Sequence, residues 1–168
     1  IAGLLTADAA RLAAFPGMGE TSAAAIKTAH AAALRLTQAG IKDAPVLANW
    51  QALLDYLRAD MAHQLTERVR VLHMNSRNML IRDELMSEGS IDEAAVYVRE
   101  VIRRAIDLGS SAIILVHNHP SGDPSPSRAD IELTRRVQEA GKKLGIALHD
   151  HVIIGTDGHA SLRAMGLI

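Results

Sequence analysis

An apolar run, Ala112-Ile113-Ile114-Leu115-Val116, ends directly in His117-Asn118-His119-Pro120, and no other stretch constrains the fold as tightly. The run is short and rich in β-branched residues, so it reads as a buried strand. Pro120, Pro124 and Pro126 then hold the chain in a stiff loop, and the segment from Ser127 to Leu144 reads as a helix that Gly145 breaks. In an extended chain residues i and i+2 point to the same side, so His117 and His119 can aim both rings at one point. With Ser127 as the helix cap, Asp130 lies in the first turn and faces back toward the strand end. Strand, loop and helix together can then place three ligands around one ion and leave a fourth position open.

The remaining segments fit around this unit. Arg68 to Asp83 reads as a β-hairpin: Val69-Arg70-Val71-Leu72 alternates, Asn75-Ser76-Arg77-Asn78 turns and Met79-Leu80-Ile81 returns, with a continuation through Glu84 to Met86 before Gly89. Asp92 to Leu108 has apolar residues at helical spacing and stops at Gly109. Ile146 to Ile154 is the last main strand, and Thr156-Asp157-Gly158 a turn. Alternating strands and helices argue for an α/β or α+β layer with helices on a central sheet. Upstream, Thr6 to about Gly40 is helical, with Thr6 and Thr21 placed to cap, and Phe15-Pro16-Gly17-Met18-Gly19 makes a tight turn between helices. Gly40 to Pro45 is a linker. Val46 to about Thr66 is helical again, with Trp50, Leu53, Leu54 and Leu57 as a packing face. This divides the chain into a helical region, residues 1–42, and a main domain, residues 46–168.

Composition removes several function classes. The 168 residues carry a net charge of -1, which provides no bulk attraction to nucleic acid or to an acidic surface. There is no cysteine, so disulfides, thiolate metal sites and cysteine nucleophiles are excluded. No apolar stretch approaches the roughly 18 residues needed to span a bilayer, and a cytoplasmic protein is expected. The chain opens on Ile1 rather than Met, as a fragment of a longer protein would.

Histidine and carboxylate in this arrangement suit a hydrolytic zinc centre, in which three protein ligands and an open position lower the pKa of water to about 7. Such a centre needs a base that is not a ligand. Asp123 sits in a turn between Gly122 and Pro124, so Glu84, Glu88 and Glu100 are the candidates. A purely structural reading stands beside this one: Ser127 and Asp130 also form a helix N-cap with an acid at the third position, worth about 1 kcal/mol. His149, Asp150 and His151 alternate along a strand, so they cannot converge on a second metal. Asp150 or His151 can instead orient a ligand, and His73 is an ordinary strand residue.

His117-x-His119, seven intervening residues, Ser127, two more and then Asp130 match the JAMM signature of MPN-domain zinc metallopeptidases and isopeptidases. His117 to Pro124, Pro126 to Asp130, Arg99-Glu100-Val101 and Asp150 to Gly155 resemble the bacterial RadC family more closely still, over about residues 46 to 168. The resemblance implies a JAMM/MPN-type central mixed sheet flanked by helices, preceded by a small helix-hairpin-helix-like region. It implies one zinc per chain on His117, His119 and Asp130. Ser127 would donate to the developing oxyanion, and Glu84 would act as general base on the water and then as acid on the leaving amine. The chain departs from its relatives at Asn75, where they commonly carry Asp, and at His149, where they carry Leu. The expected substrate is a protein or peptide. Two alternatives remain: a repair-linked, DNA-associated module that offers the Gly17–Gly19 turn to phosphates and uses the metal domain as a scaffold, and a metal-dependent phosphodiesterase.

Overall fold

A computed structural model describes residues 2–42, 44–89 and 97–168. Five strands form one mixed sheet in the order β2-β1-β3-β4-β5: β1 is Glu67–Met74, β2 Leu80–Gly89, β3 Ala112–Asn118, β4 Ala147–Gly155 and β5 Gly158–Ser161. Neighbouring strands are antiparallel except β3 and β4, which run parallel and are joined by helix α6, Arg128–Lys143. Every residue of β3 is buried. A central strand with a parallel neighbour is covered on both faces, which is why its sequence is apolar without alternation.

The two faces of the sheet hold separate cores. Leu72, Met74, Ile114, Val116, Val152 and Ile154 pack under α4, Trp50–Met61, where Leu53, Leu57 and Met61 are wholly buried and Trp50 packs at the margin. Val71, Ile113, Leu115 and Leu148 pack under α5, Val98–Asp107, and α6, against Val101, Ile102 and Val137. Asp92 and Val96, expected in the helix before Gly109, lie outside the described residues.

The helical region is α1, Ala2–Thr6, α2, Ala9–Ala13, and α3, Glu20–Lys42. Three expectations need correction here. Thr6 ends α1 instead of capping a helix; Asp8 caps α2 by accepting from the Ala10 and Arg11 amides. Thr21 lies inside α3. That helix also runs through Gly40, because continuing it seats Ile41 in the α4-side core with no exposed surface. Burying an isoleucine is worth about 1.5–3 kcal/mol, more than the roughly 1 kcal/mol a helical glycine costs.

At the hairpin tip the Asn75 side chain accepts from the Arg77 and Met79 amides, and Asn78 takes φ 59°. Met74 pairs with Ala112, at the start of β3, whereas His117 is near its end. Five residues at roughly 3.3 Å each separate these levels. The hairpin tip and the Ser121–Pro126 loop therefore sit at opposite ends of β3.

Candidate metal centre

His117 and His119 reach one point because β3 ends between them. Pairing of β1 and β3 sets Val69 opposite His117, and His119 extends the parallel ladder by donating its amide to the Ile154 carbonyl at 2.9 Å. The loop that follows is pressed onto the β4–β5 turn. Gly122 has φ 94°, and a Cβ there would meet Thr156 Oγ1 at 2.5 Å; a Cβ on Gly155 would collide with the Gly122 carbonyl. That carbonyl accepts from the Asp157 amide. So held, the loop turns Asp123 back, and its carbonyl accepts from His119 Nδ1 at 2.8 Å. The Nε2 atom of His119 then faces inward.

Ser127 starts α6 in a complete capping box: its hydroxyl oxygen accepts from the Asp130 amide, and the Asp130 carboxylate accepts from the Ser127 amide at 2.7 Å. The cap and the ligand geometry are one arrangement, because the hydrogen bond that satisfies the helix end also aims the carboxylate. His117 Nε2 lies 2.9 Å from His119 Nε2 and 3.3 Å from Asp130 Oδ1, and His119 Nε2 lies 3.7 Å from Asp130 Oδ2. Among the described residues this is the one set of three ligand-type side chains that converge.

These residues fit a zinc ion. Bonds of about 2.0–2.1 Å imply ligand-to-ligand edges of about 3.3–3.4 Å in a tetrahedron, and the observed edges straddle that value. Two imidazole nitrogens 2.9 Å apart beside a carboxylate are spaced to share either a proton or a metal cation. The electrostatics agree. Burial lowers the His117 ring to about 4, so it stays neutral near pH 7. Contact with Asp130 raises His119. Burial pushes Asp130 upward, but the His119 and His117 rings and the Ser127 donors outweigh it, and the carboxylate stays well below its ordinary range.

Glu84 does not join this cluster. It pairs with Val71, whose β3 partner is Leu115, so it lies two strands from the ligands and short of their level. Arg104 of α5 grips both of its oxygens at 2.6 to 3.1 Å, and these bonds hold its pKa down, the reverse of what a base requires. His73 Nε2, buried without a hydrogen bond, is 3.6 Å away. Glu88 is taken by Arg68, and Glu100 by Arg103.

The acid that does face the site is Glu67, the first residue of β1. Extending the β1–β3 register by two residues sets it opposite His119, on the same face as Val69 and His117. Its place is fixed by Asn118, the residue between the two histidines. The buried Asn118 amide accepts from the Arg68 amide at 2.8 Å and donates to the Thr66 carbonyl at 3.0 Å, gripping the backbone on both sides of Glu67. Glu67 is half-buried, and burial, reinforced by the Asp130 charge, raises its carboxyl above the ordinary range while His119 partly offsets this. A raised carboxyl beside metal-type ligands has the protonation behaviour that acid–base work requires. Sequence carried one signal for it: Glu67 precedes Val69 by two, so both share a strand face.

His149 and His151 part company at a bulge. The β3–β4 register shifts between Ile113 and Ile114, so His151 comes opposite Leu115 and turns toward His117. His151 Nε2 is 2.8 Å from His117 Nδ1, while His149 bonds Asn78 in the hairpin turn. In the helical region the Lys27 ammonium closes the end of α1 on the Leu5 and Ala7 carbonyls, so the cation nearest the Gly17–Gly19 turn in α3 is already engaged.

Known proteins resemble this chain over most of its length. A family model described as a RadC-like JAB domain matches residues 47–167. A UPF0758 protein of Rhodobacter capsulatus is 48% identical over 165 residues, covering 98% of this chain and 77% of the relative. With a five-stranded mixed sheet between helices and His117, His119 and Asp130 gathered at the end of its central strand, the chain belongs to the RadC/UPF0758 family and carries its JAB-type domain.

Proposed function

We propose that this protein is a zinc-dependent hydrolase of amide bonds, acting on a protein or peptide. The observation that carries the reading is the convergence of His117, His119 and Asp130 beside Glu67, a carboxylate raised by burial. A zinc ion held by the three ligands would polarise an amide carbonyl and acidify water. Glu67 would take the proton from the attacking water and deliver it to the departing amine, work for which a carboxyl with a raised pKa is suited. Ser127 uses its oxygen to accept from the Asp130 amide. Its hydroxyl hydrogen points toward the Asp130 carboxylate and would turn to the oxyanion as negative charge develops there. Phosphodiester cleavage ranks lower, because it usually employs two metals and the described residues offer one convergent set. A DNA contact at the Gly17–Gly19 turn would have to form without Lys27.

The test is zinc content per chain together with cleavage of a peptide library. Wild type and Glu67→Gln are expected to hold about one zinc, with turnover lost only in the variant by roughly 10²–10⁴-fold. Asp130→Ala is expected to lose both. Cleavage that persists through chelation and through Glu67→Gln would refute the proposal.

A further inference from the structure

Two buried side chains behind the ligands are joined in a chain that has a direction. Thr134 of α6 and His151 of β4 are 0% and 1% exposed. The Thr134 hydroxyl donates its single hydrogen to the backbone carbonyl of Asp130. The same oxygen lies 2.6 Å from His151 Nδ1. With its hydrogen spent, Thr134 Oγ1 can only accept, so the proton of the His151 ring sits on Nδ1. A neutral imidazole protonated at Nδ1 has its lone pair on Nε2. That Nε2 is 2.8 Å from His117 Nδ1, which must therefore be the donor. The His117 lone pair is left on Nε2, the atom that faces His119 Nε2 and Asp130 Oδ1.

We propose that Thr134 and His151 are positioning residues: their relay, anchored on a carbonyl that can only accept, sets His117 in the tautomer that presents Nε2 as a ligand. The relay starts on the residue that supplies one ligand and ends on another, tying α6, β4 and β3 together behind the site. Run in the opposite direction, with Thr134 donating to His151, the same contacts would place a hydrogen on His117 Nε2 and block it. The inference rests on the metal-centre reading for its purpose, but the tautomer can be read without any metal.

The experiment uses ¹⁵N-histidine-labelled, metal-free full chain. Long-range proton–nitrogen correlation spectra show which nitrogen of each ring is protonated, and Zn²⁺ affinity is measured by competition with a chelator. Wild-type His117 is expected as the Nδ1–H tautomer. Thr134→Val, which keeps the shape and removes the hydroxyl, is expected to lose that single tautomer and to bind Zn²⁺ about 10–100-fold more weakly; Thr134→Ser is expected to restore both. A wild-type His117 protonated on Nε2 overturns the proposal whatever the variants do. So does a folded Thr134→Val with unchanged tautomer and unchanged affinity. An Nδ1–H His117 in a protein that takes up no Zn²⁺ supports the relay and rejects the metal-centre reading instead.

Discussion

Glu67 and Glu84 sit on one hairpin and face the same side of the sheet, yet their surroundings give them opposite chemistry. Glu84 meets a guanidinium and stays ionised. Glu67 is half-buried near another carboxylate and holds its proton more tightly. Glu84→Gln is therefore expected to keep turnover within a few-fold and lower the melting temperature, since Arg104 loses its partner. Ser127 and Asp130 separate in the same way. Ser127→Ala removes a cap hydrogen bond and should cost about 0.5–2 kcal/mol in urea unfolding while zinc content holds. Asp130→Ala should show a similar loss of stability together with loss of zinc.

At the scale of elements, β3 and the loop after it do the positioning. Asn118 is a strand residue whose side chain acts on the neighbouring strand. Asn118→Leu would strand the Arg68 amide and the Thr66 carbonyl beside it. An unpaired buried polar group costs about 1–3 kcal/mol. The expected result is a loss of that size in urea unfolding, with kcat falling further than zinc affinity, because Glu67 shifts and the ligands do not. The loop depends on backbone contact between Gly122 and the β4–β5 turn. Gly155→Ala must push the loop outward; since His119 reaches its place through that loop, Zn²⁺ affinity should fall, which chelator competition would measure. Overpacking of this kind typically costs about 1–3 kcal/mol.

For the molecule as a whole, the buried histidines set the response to acid. Unfolded histidines ionise near pH 6.5, whereas burial lowers His117 to about 4 and His151 to about 3 in the folded chain. Between those limits the unfolded chain takes up protons that the folded chain refuses. Stability is full above about pH 6.5, is lost as the pH falls, and stops falling once the folded rings ionise. His119, raised by Asp130, works the other way: its contribution is full below about pH 6.5 and fades as the pH rises through its folded value. Urea midpoints of the metal-free protein are expected to drop between pH 7 and 4.5, and His151→Gln to flatten that drop by about one proton.

The parts of this protein that sequence determined are those built from short-range geometry. His117 and His119 share a side because a strand repeats every two residues, and Asp130 faces them because a capped helix turn fixes residue three relative to residue zero. The buried strand, the hairpin and the break at Gly145 were legible for similar local reasons, as Leu115 and Gly145 show. Tertiary structure alone decided which acid faces the site. Glu67 enters through the pairing of Val69 with His117, and Glu84 leaves through an arginine supplied by α5. The β4 bulge, which no composition signal marks, turned His151 toward His117. Helix and strand periodicity act over a few residues and can be read along the chain; strand register and ion pairing join residues tens of positions apart, and only the packed sheet selects one pairing among the many that the chain permits.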